Sequence, residues 1–369
     1  MIKFNIPYQS PDTERYLKEA LESDSQSCDG EFVQKCSGWF EENYGCHKAF
    51  MTHSCTGALE MAALTIGLES ADEVIVPAFT HISTANAFAL RGAKIVFADI
   101  LADTMCIDPA DVIKKITPET KAVVAMHYGG YAADMVLLGD ICKKNGLYLI
   151  EDAAHSIGAT HNDKHLGTFG DIGCISFHET KNIHCGEGGA FLINNPELLK
   201  KAEEVFEKGS NRAAFLRNEV SEYSWTGLGS SFGMNNLSAA MLWSQLQDLG
   251  VVSEKRVAIW NDYYAAFKSI EGIILPPESE SGFNAHIFYI KAQATQADGL
   301  LALLNEKGIA ACRHFPPLNK SPFGEKFGKT HCTVAEAEYQ KLIRLPMHIG
   351  IRKTDTEFIA DIIARFLSK

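Results

Sequence analysis

The fold class follows from residues 122–159, AVVAMHYGGYAADMVLLGDICKKNGLYLIEDAAHSIGA. This stretch begins with an apolar run and contains a second one at 147–153, each with the length and composition of a buried strand. Residues 135–146 between them have the pattern of a helix, and two strands joined by a helix are normally parallel. The same alternation occurs upstream, with apolar runs at 73–79 and 94–100. We therefore predict an α/β fold with a mostly parallel sheet covered on both faces.

The pattern changes in the last third of the chain. Residues 236–269 have a long helical pattern. Beyond residue 275, a short strand and two helical segments follow at 286–292, 298–308 and 355–367. We predict two domains, a large α/β domain at 1–250 and a smaller α+β domain at 251–369.

The composition is that of a globular protein and excludes several function classes. The chain has 369 residues, of which 46% are hydrophobic, and a net charge of −12 without any basic stretch, which argues against nucleic acid as a partner. Its ten cysteines include no CxxC pair, so we expect reduced thiols rather than a zinc site. The N-terminus lacks the apolar core of a secretory signal, and no run of about 18 apolar residues occurs. We expect a cytoplasmic protein without a membrane span.

The first segment that could carry chemistry is THSCTGALEMAAL, at 52–64, where Ser54, Thr56 and Gly57 precede a helical pattern. Ligands of open α/β sheets bind beyond the carboxyl ends of the strands. A helix N-terminus with free amides and nearby hydroxyls suits a phosphate group there. The alternative is an ordinary Ser or Thr helix cap without a ligand.

The second segment is LYLIEDAAHSIGA, at 147–159, where Glu151 and Asp152 directly follow apolar strand residues. A carboxylate at a strand end could bind a metal ion, a ribose or a protonated ring nitrogen. It could also simply cap a helix, which is common. His155, three residues further on, could contact the same ligand or only pack in the interior.

The third segment is SFHETKNIHCGEGGAF, at 176–191, which contains a lone lysine, Lys181. The apolar runs on either side, 171–177 and 189–195, are too close for a helical crossover and predict a hairpin-like pair of strands. A lysine in a low-dielectric setting becomes a nucleophile, although a solvated loop lysine is the alternative. The Walker spacing is absent and the glycine-rich stretch 227–233 follows no clear strand, which disfavours P-loop and dinucleotide sites.

The three segments together predict a site for pyridoxal 5′-phosphate (PLP). This cofactor needs a lysine for a Schiff base, a carboxylate on its pyridinium nitrogen and an anchor for its phosphate. The carboxylate of Asp152 would keep the ring nitrogen protonated, so that the ring accepts electrons when the substrate loses a proton. Lys181 could then carry that proton as a general base and acid. We predict no metal site.

These segments resemble the DegT/DnrJ/EryC1/StrS sugar aminotransferases, which are PLP enzymes of the aspartate-aminotransferase-like fold type I. The resemblance covers nearly the whole chain and rests on EDAAH, CDGEF, SCTGALEMAAL, STANAFALRGAKIVFADI, SFHETKN, GEGGA, KGSNR and NAHIFYIK. It implies a mostly parallel seven-stranded sheet flanked by helices, with a smaller α+β C-terminal domain. It also implies a homodimer with shared active sites, L-glutamate as amino donor and a nucleotide-linked keto sugar as acceptor.

The resemblance implies contacts to the cofactor ring. Lys181 would form the Schiff base, and Asp152 would pair with the pyridinium nitrogen. His155 would lie near the ring hydroxyl. His81 would stack on the ring, with Phe79 as the alternative.

The resemblance also implies contacts to the cofactor phosphate. Thr56, Gly57 and Ser176 would hold it from one subunit. Related enzymes add an asparagine from the second subunit, and Asn235 is the candidate here, although the surrounding stretch departs from the usual pattern.

The implied contacts to the substrate involve four residues. Arg212 could face a diphosphate, because a guanidinium binds phosphate oxygens in a fork; the alternative is a surface arginine. His178 and Glu179 could lie near the sugar or could support the lysine loop. His314 lies where the C-terminal domain of this family approaches the site.

The resemblance favours transfer of the amine to C4 of dTDP-4-dehydro-6-deoxyglucose, giving dTDP-4-amino-4,6-dideoxygalactose. The gluco epimer of this product and amination at C3 remain open. A subset of the family that removes a sugar hydroxyl has histidine in place of the lysine, so Lys181 argues for transamination. The alternative of a different class is a non-catalytic regulator on the same fold.

Overall fold

The computed structural model describes residues 1–278 and 281–368. Its helices are α1 Thr13–Glu22, α2 Glu31–Tyr44, α3 Cys55–Thr65, α4 Ile82–Ala89, α5 Pro109–Lys115, α6 Met135–Asn145, α7 Leu199–Phe206, α8 Arg212–Leu216, α9 Asn236–Gln247, α10 Leu249–Phe267, α11 Ala294–Glu306, α12 Thr333–Lys341 and α13 Lys353–Leu367. Its strands are β1 Lys48–Thr52, β2 Glu73–Pro77, β3 Lys94–Ala98, β4 Thr120–Met126, β5 Tyr148–Asp152, β6 Thr160–His161, β7 Lys164–His165, β8 Ile172–Ser176, β9 Gly189–Ile193, β10 Ile273–Ile274, β11 Phe288–Ala292 and β12 Leu342–Leu345.

The main sheet has seven strands in the order β1–β9–β8–β5–β4–β2–β3. Strands β3, β2, β4, β5 and β8 are parallel, whereas β9 is antiparallel to both of its neighbours. The prediction of a mostly parallel seven-stranded sheet is therefore confirmed, as is the hairpin-like pair formed by β8 and β9. That pair is antiparallel because the segment between the two strands is too short for a crossover helix.

Helix α6 illustrates how the sequence sets the crossovers of this sheet. The Asp134 side chain accepts a hydrogen bond from the Leu137 amide at 3.0 Å, which caps the start of the helix. Gly146 ends it with a φ of 66°, in the left-handed region that glycine adopts without a steric penalty. The chain then enters β5, whose last residue is Asp152.

Both faces of the main sheet are buried, because successive side chains of a strand point to opposite faces. In β9, Phe191 and Ile193 belong to the apolar cluster formed with α3 to α7. Ala190 and Leu192 of the same strand belong to a second cluster, formed with α1, α2 and α9. This arrangement explains why the central strands are apolar throughout rather than alternating.

A second, antiparallel sheet of three strands, β10–β11–β12, packs with α10, α11 and α13 around a third apolar cluster. The long helical pattern at 236–269 forms two consecutive helices, α9 and α10, which meet at Asp248. The N-terminal segment also contacts this part of the chain: Ile2 bridges to Ile309, and the Phe4 carbonyl accepts a hydrogen bond from the Met347 amide. The division into domains at 1–250 and 251–369 stays a prediction.

Three further features concern the described residues as a whole. The ten cysteines carry free thiols. Residues 1–278 and 281–368 contain no group of three or more His, Cys, Asp or Glu side chains arranged to hold a metal ion. No helix in these ranges has both the length and the apolar character needed to cross a membrane.

Candidate active site

A cavity of about 440 Å³ lies where β5 and β8 end and where the three-stranded sheet faces the main sheet. Carboxyl ends of parallel strands are the usual place for a ligand in this architecture. Eight of the predicted site residues line the cavity: Thr56, His81, Asp152, His155, Ser176, His178, Lys181 and His314. The fold thus brings together side chains from the three segments identified in the sequence.

The N-terminus of α3 forms one wall of the cavity. The Ser54 hydroxyl accepts a hydrogen bond from the Gly57 amide at 3.0 Å, so the amides that remain for a ligand are those of Cys55 and Thr56. The Thr56 hydroxyl donates to Ser83 at 2.8 Å. Free amides, the positive end of the helix dipole and these hydroxyls make an anion site.

Gly57 itself is not among the residues that line the cavity, and its predicted contact to a phosphate stays a prediction. Its amide is occupied by Ser54. A Cβ at this position would lie 2.5 Å from the imidazole of His53, which accounts for glycine here. Ser176, at the end of β8, is buried and lines the cavity on the adjacent strand end.

Asp152 is buried at the end of β5, and its carboxylate is held by two hydrogen bonds. One oxygen accepts from the Thr84 hydroxyl at 2.6 Å, and the other accepts from the Ala154 amide at 3.1 Å. These bonds fix the orientation of the carboxylate. Because a carboxylate has about four acceptor positions, capacity remains for a donor in the cavity.

Lys181 lies in the loop between β8 and β9, with its amine in the cavity rather than in open solvent. Burial lowers the pKa of this amine from 10.5 to about 8, an effect that the negative charge of Asp152 partly opposes. Roughly a tenth of the amine is then neutral at pH 7. A neutral amine is the nucleophilic form, so the environment suits Lys181 for attack on a carbonyl carbon.

His155 is buried next to the cavity and is neutral. Burial is the main cause that lowers its pKa well below the usual value, and the nearby positive charge of Lys181 acts in the same direction. Its Nδ1 accepts a hydrogen bond from the Gly129 amide at 3.2 Å, which leaves the hydrogen on Nε2. The ring packs against that of His286, with a centroid separation of 4.3 Å.

His81 forms the wall of the cavity beside α4. Its Nδ1 accepts from the Ser83 amide at 3.2 Å and caps the helix, and burial lowers its pKa. Phe79 is fully buried and packs edge-on against Tyr128 and Phe315. The structure therefore places His81 on the cavity and Phe79 in the interior, and stacking of His81 on the ring stays a prediction.

Glu179 and Arg212 do not line the cavity of their own chain, and their roles as substrate contacts stay predictions. Glu179 is exposed. Arg212 pairs with Asp29 at 2.9 Å and with Glu207 at 3.0 Å, so its guanidinium is already neutralised. The alternative prediction for Arg212, a surface arginine, agrees with these contacts.

Asn235 also lies outside the cavity of its own chain. Its side chain is exposed and caps α9 by accepting a hydrogen bond from the Ser238 amide at 2.9 Å. A role toward the phosphate of a second subunit stays a prediction.

His178 does line the cavity, where Nδ1 contacts the Thr180 hydroxyl at 2.9 Å and Nε2 lies 3.5 Å from Glu187.

Several lining residues were not predicted from the sequence, among them Phe4, His286 and Arg344. Phe4 belongs to the N-terminal segment, which carries no motif. His286 lies within NAHIFYIK, a string that supported the resemblance without a role for its histidine. Arg344 lies in β12, within the run LIRLP, where an arginine among buried apolar residues is an unusual feature that could have drawn attention.

Comparison with known proteins agrees with this geometry. Residues 7–364 match the DegT/DnrJ/EryC1/StrS aminotransferase family. The chain belongs to this family. Members of the family are PLP-dependent sugar aminotransferases, which confirms the predicted cofactor and reaction class.

Relatives of this aminotransferase include the spore coat polysaccharide biosynthesis protein SpsC of Bacillus subtilis (strain 168), 32% identical over 98% of this chain and 96% of the relative. The dTDP-4-dehydro-2,3,6-trideoxy-D-glucose 4-aminotransferase of Saccharopolyspora spinosa is 30% identical over 84% of this chain and 82% of the relative. Among solved structures, Helicobacter pylori PseC, an aminotransferase involved in pseudaminic acid biosynthesis, superposes with a TM-score of 0.92 at 25% identity, covering 100% and 99% of the two chains.

The side chains present in the cavity fit PLP. Lys181 offers a partly neutral amine, Asp152 a carboxylate with free acceptor capacity, and α3 two amides without a protein acceptor among the described residues. When bound, PLP supplies a conjugated ring that takes up the electrons released as a proton leaves the substrate carbon. Lys181 would bind it covalently, Asp152 would hold the ring nitrogen, and Thr56 and Ser176 would hold the phosphate.

Proposed function

We propose that this aminotransferase moves the amine of L-glutamate to C4 of dTDP-4-dehydro-6-deoxy-D-glucose, giving dTDP-4-amino-4,6-dideoxy-D-galactose and 2-oxoglutarate. Two findings support the choice of C4 and of a thymidine nucleotide. The relative from Saccharopolyspora spinosa is by its name a dTDP-sugar 4-aminotransferase. The strings SFHETKN and NAHIFYIK also resemble the enzyme that makes this amino sugar for enterobacterial common antigen.

The observation that carries the proposal is the presence of Lys181 and Asp152 in one cavity. Transamination requires a group that removes a proton from the carbon bearing the amine and returns a proton nearby. An amine with a pKa of about 8 can do both near neutral pH, because its charged and neutral forms are both populated. The buried carboxylate of Asp152 would keep positive charge at the ring nitrogen of bound PLP. A non-catalytic regulator would not need this pair.

We also propose that the enzyme is a homodimer with shared sites in the cytoplasm, and that its product enters a cell-surface polysaccharide such as common antigen or O-antigen. Exposed apolar side chains in one segment support the dimer. They are Phe215, Leu216, Tyr223, Trp225 and Leu228, of which Trp225 is 80% exposed. The rings of Phe215 and Tyr223 lie 6.4 Å apart, and exposed apolar side chains that lie together are typical of a protein–protein contact. Asn235, close by in the sequence, would then reach the second subunit's phosphate site.

Two enzymatic alternatives differ in the face or carbon of the sugar that meets the cofactor. One gives the gluco epimer at C4, and the other gives amination at C3. Both use the same lysine and aspartate, so the catalytic residues do not distinguish them. The NMR spectrum of the product does, because coupling constants around the sugar ring report the configuration of each carbon.

The test incubates the purified protein with PLP, L-glutamate and dTDP-4-dehydro-6-deoxyglucose. We expect the small coupling of an equatorial-to-axial pair of hydrogens at C4, which identifies the galacto product. A large coupling at that position would identify the gluco epimer and overturn the stereochemical proposal. Absence of any aminated sugar, while the protein still binds PLP and reacts with L-glutamate, would overturn the proposed acceptor.

A further inference from the structure

Arg344 is a cavity residue to which no part of the PLP site assigns a role. It lies in β12 of the three-stranded sheet and lines the same cavity as Lys181 and Asp152. Apart from Lys181, it is the only lysine or arginine among the cavity-lining residues of the described chain. The histidines beside it do not add positive charge, because burial lowers the pKa of His155, His286 and His314 well below the usual value.

The guanidinium of Arg344 has no carboxylate partner within salt-bridge distance in residues 1–278 and 281–368. Its Nη1 lies 3.1 Å from Nε2 of His314, and its Nε is buried without a hydrogen-bond acceptor. Phe4 packs against it, with the guanidinium carbon 4.9 Å from the ring centroid. A buried cation without a counter-charge costs free energy, and a ligand anion removes that cost.

The contacts around His314 hold the guanidinium in one orientation. Nδ1 of His314 lies 3.1 Å from the Tyr128 hydroxyl, and a neutral imidazole can accept at one nitrogen only. Arg344 can only donate, and its Nη1 lies within 3.3 Å of both ring nitrogens, so the unprotonated nitrogen of His314 accepts from it in either tautomer. Either arrangement leaves Nε of Arg344 without an acceptor among the described residues and available to a ligand.

We propose that Arg344 binds a carboxylate of the amino donor, with His314 and Phe4 as positioning residues. This inference rests on the proposed function, which supplies L-glutamate as the donor. A guanidinium binds a carboxylate in a two-pronged fashion that its planar geometry favours. The donor also carries a carboxylate on the carbon next to the reacting amine, so its partner must lie near Lys181.

Two features favour a carboxylate over the diphosphate of the sugar nucleotide. Arg344 lines the same cavity as Lys181, and its positive charge adds to burial in lowering the pKa of that amine. The diphosphate is attached to C1 and is separated from the reacting C4 by the sugar ring. A diphosphate held by Arg344 would therefore place C4 away from Lys181.

The test measures the first half-reaction without any sugar. Holoenzyme is mixed with L-glutamate, and the change in the visible absorption of the bound cofactor gives the rate at each donor concentration. For Arg344→Gln we expect the half-saturating glutamate concentration to rise by about tenfold to a hundredfold, the usual effect of losing charge-assisted hydrogen bonds. Arg344→Lys should recover part of this loss, because it keeps the charge but not the fork.

A binding measurement complements the kinetics. The dissociation constant of 2-oxoglutarate for the Lys181→Ala protein, measured by calorimetry, should rise by a similar factor when Arg344→Gln is added. The matched control is Arg365→Gln, which removes an exposed arginine paired with Asp361 on α13 and should change neither value. His314→Gln should also weaken donor binding, by a smaller factor. This variant replaces Arg344→Gln in the test if Arg344→Gln does not fold.

The outcomes separate this inference from the proposed function. If Arg344→Gln leaves the glutamate half-reaction unchanged and instead raises the KM for the keto sugar, the guanidinium binds the nucleotide and the inference is wrong. If the wild-type enzyme completes the glutamate half-reaction but aminates none of the keto sugars, the proposed acceptor is wrong. In that case the Arg344 result still stands.

Discussion

The two walls of the cavity differ in how their polar groups are balanced. On the main-sheet side, Asp152 is held by Thr84 and by a backbone amide, and Ser54 caps the helix that offers its amides. On the opposite side, Arg344 is oriented by neutral groups and has no counter-charge among the described residues. The first wall therefore suits a cofactor that stays bound, and the second suits the donor anion that we propose for Arg344. Changes on the first wall should affect every reaction, and changes on the second should affect the donor.

The largest effect is expected from Lys181→Ala. This change removes both the covalent link to the cofactor and the group that moves the proton, so turnover should fall by about 10³- to 10⁴-fold. The visible absorption of the lysine-bound cofactor should disappear in the same variant. Lys255→Ala, on the exposed face of α10, is the control and should retain both. If Lys181→Ala kept the absorption band, another amine would hold the cofactor.

The second-largest effect is expected from Asp152→Asn. The amide keeps the shape of the side chain but cannot hold a proton on the ring nitrogen, so both half-reactions should slow by roughly a hundredfold or more. We expect the rate to fall by an equal factor for glutamate and for the amino sugar, the latter measured in the reverse reaction. Both rates are measured by stopped-flow absorption. A loss confined to one substrate would show that this wall also selects substrates. Asp163→Asn, in a surface turn, is the control.

A smaller effect is expected from pH on the capture of PLP by the protein without cofactor. Only the neutral amine of Lys181 attacks, and its pKa is about 8. The rate should therefore rise about tenfold between pH 7 and pH 9 and then level off. Asp152→Asn should move this rise to lower pH, because the charge of Asp152 raises the pKa of Lys181. A rate that continued to increase up to pH 10.5 would mean that the amine is solvated.

The smallest effect is expected from Ser54→Ala, which removes the cap of α3. Loss of an N-cap destabilises a protein by about 1 kcal/mol, measurable by urea unfolding. Because this helix start faces the cavity, the affinity for PLP should fall as well. Asp108→Ala removes the corresponding cap of α5, where Asp108 accepts from the Ala110 amide at 2.9 Å. Asp108→Ala should lower the stability by a similar amount without lowering the affinity for PLP. An equal loss of PLP affinity in this variant would contradict the role of α3.

The main-sheet wall could be predicted from the sequence because its residues follow directly from strand ends. Asp152 and Ser176 are the last residues of β5 and β8, and Lys181 follows five residues later. Parallel strands bring such ends to one edge of the sheet, so sequence position nearly fixes spatial position. Phe79 and His81 show the limit of this reasoning. They lie at the same strand end, and only the packing of Phe79 against Tyr128 decides which one reaches the cavity.

The sequence by itself determined the fold class, the cofactor and the lysine–aspartate pair, because these depend on local periodicity and on residues within short segments. Only the tertiary structure decided which charged groups are free. Arg212 is neutralised by Asp29, which is 183 residues away in the sequence, whereas Arg344 meets His314 and Phe4 and lacks an acid among the described residues. Whether an arginine is available to a ligand depends on contacts between distant segments, and these form only when the three-stranded sheet, the N-terminal segment and the main sheet pack together.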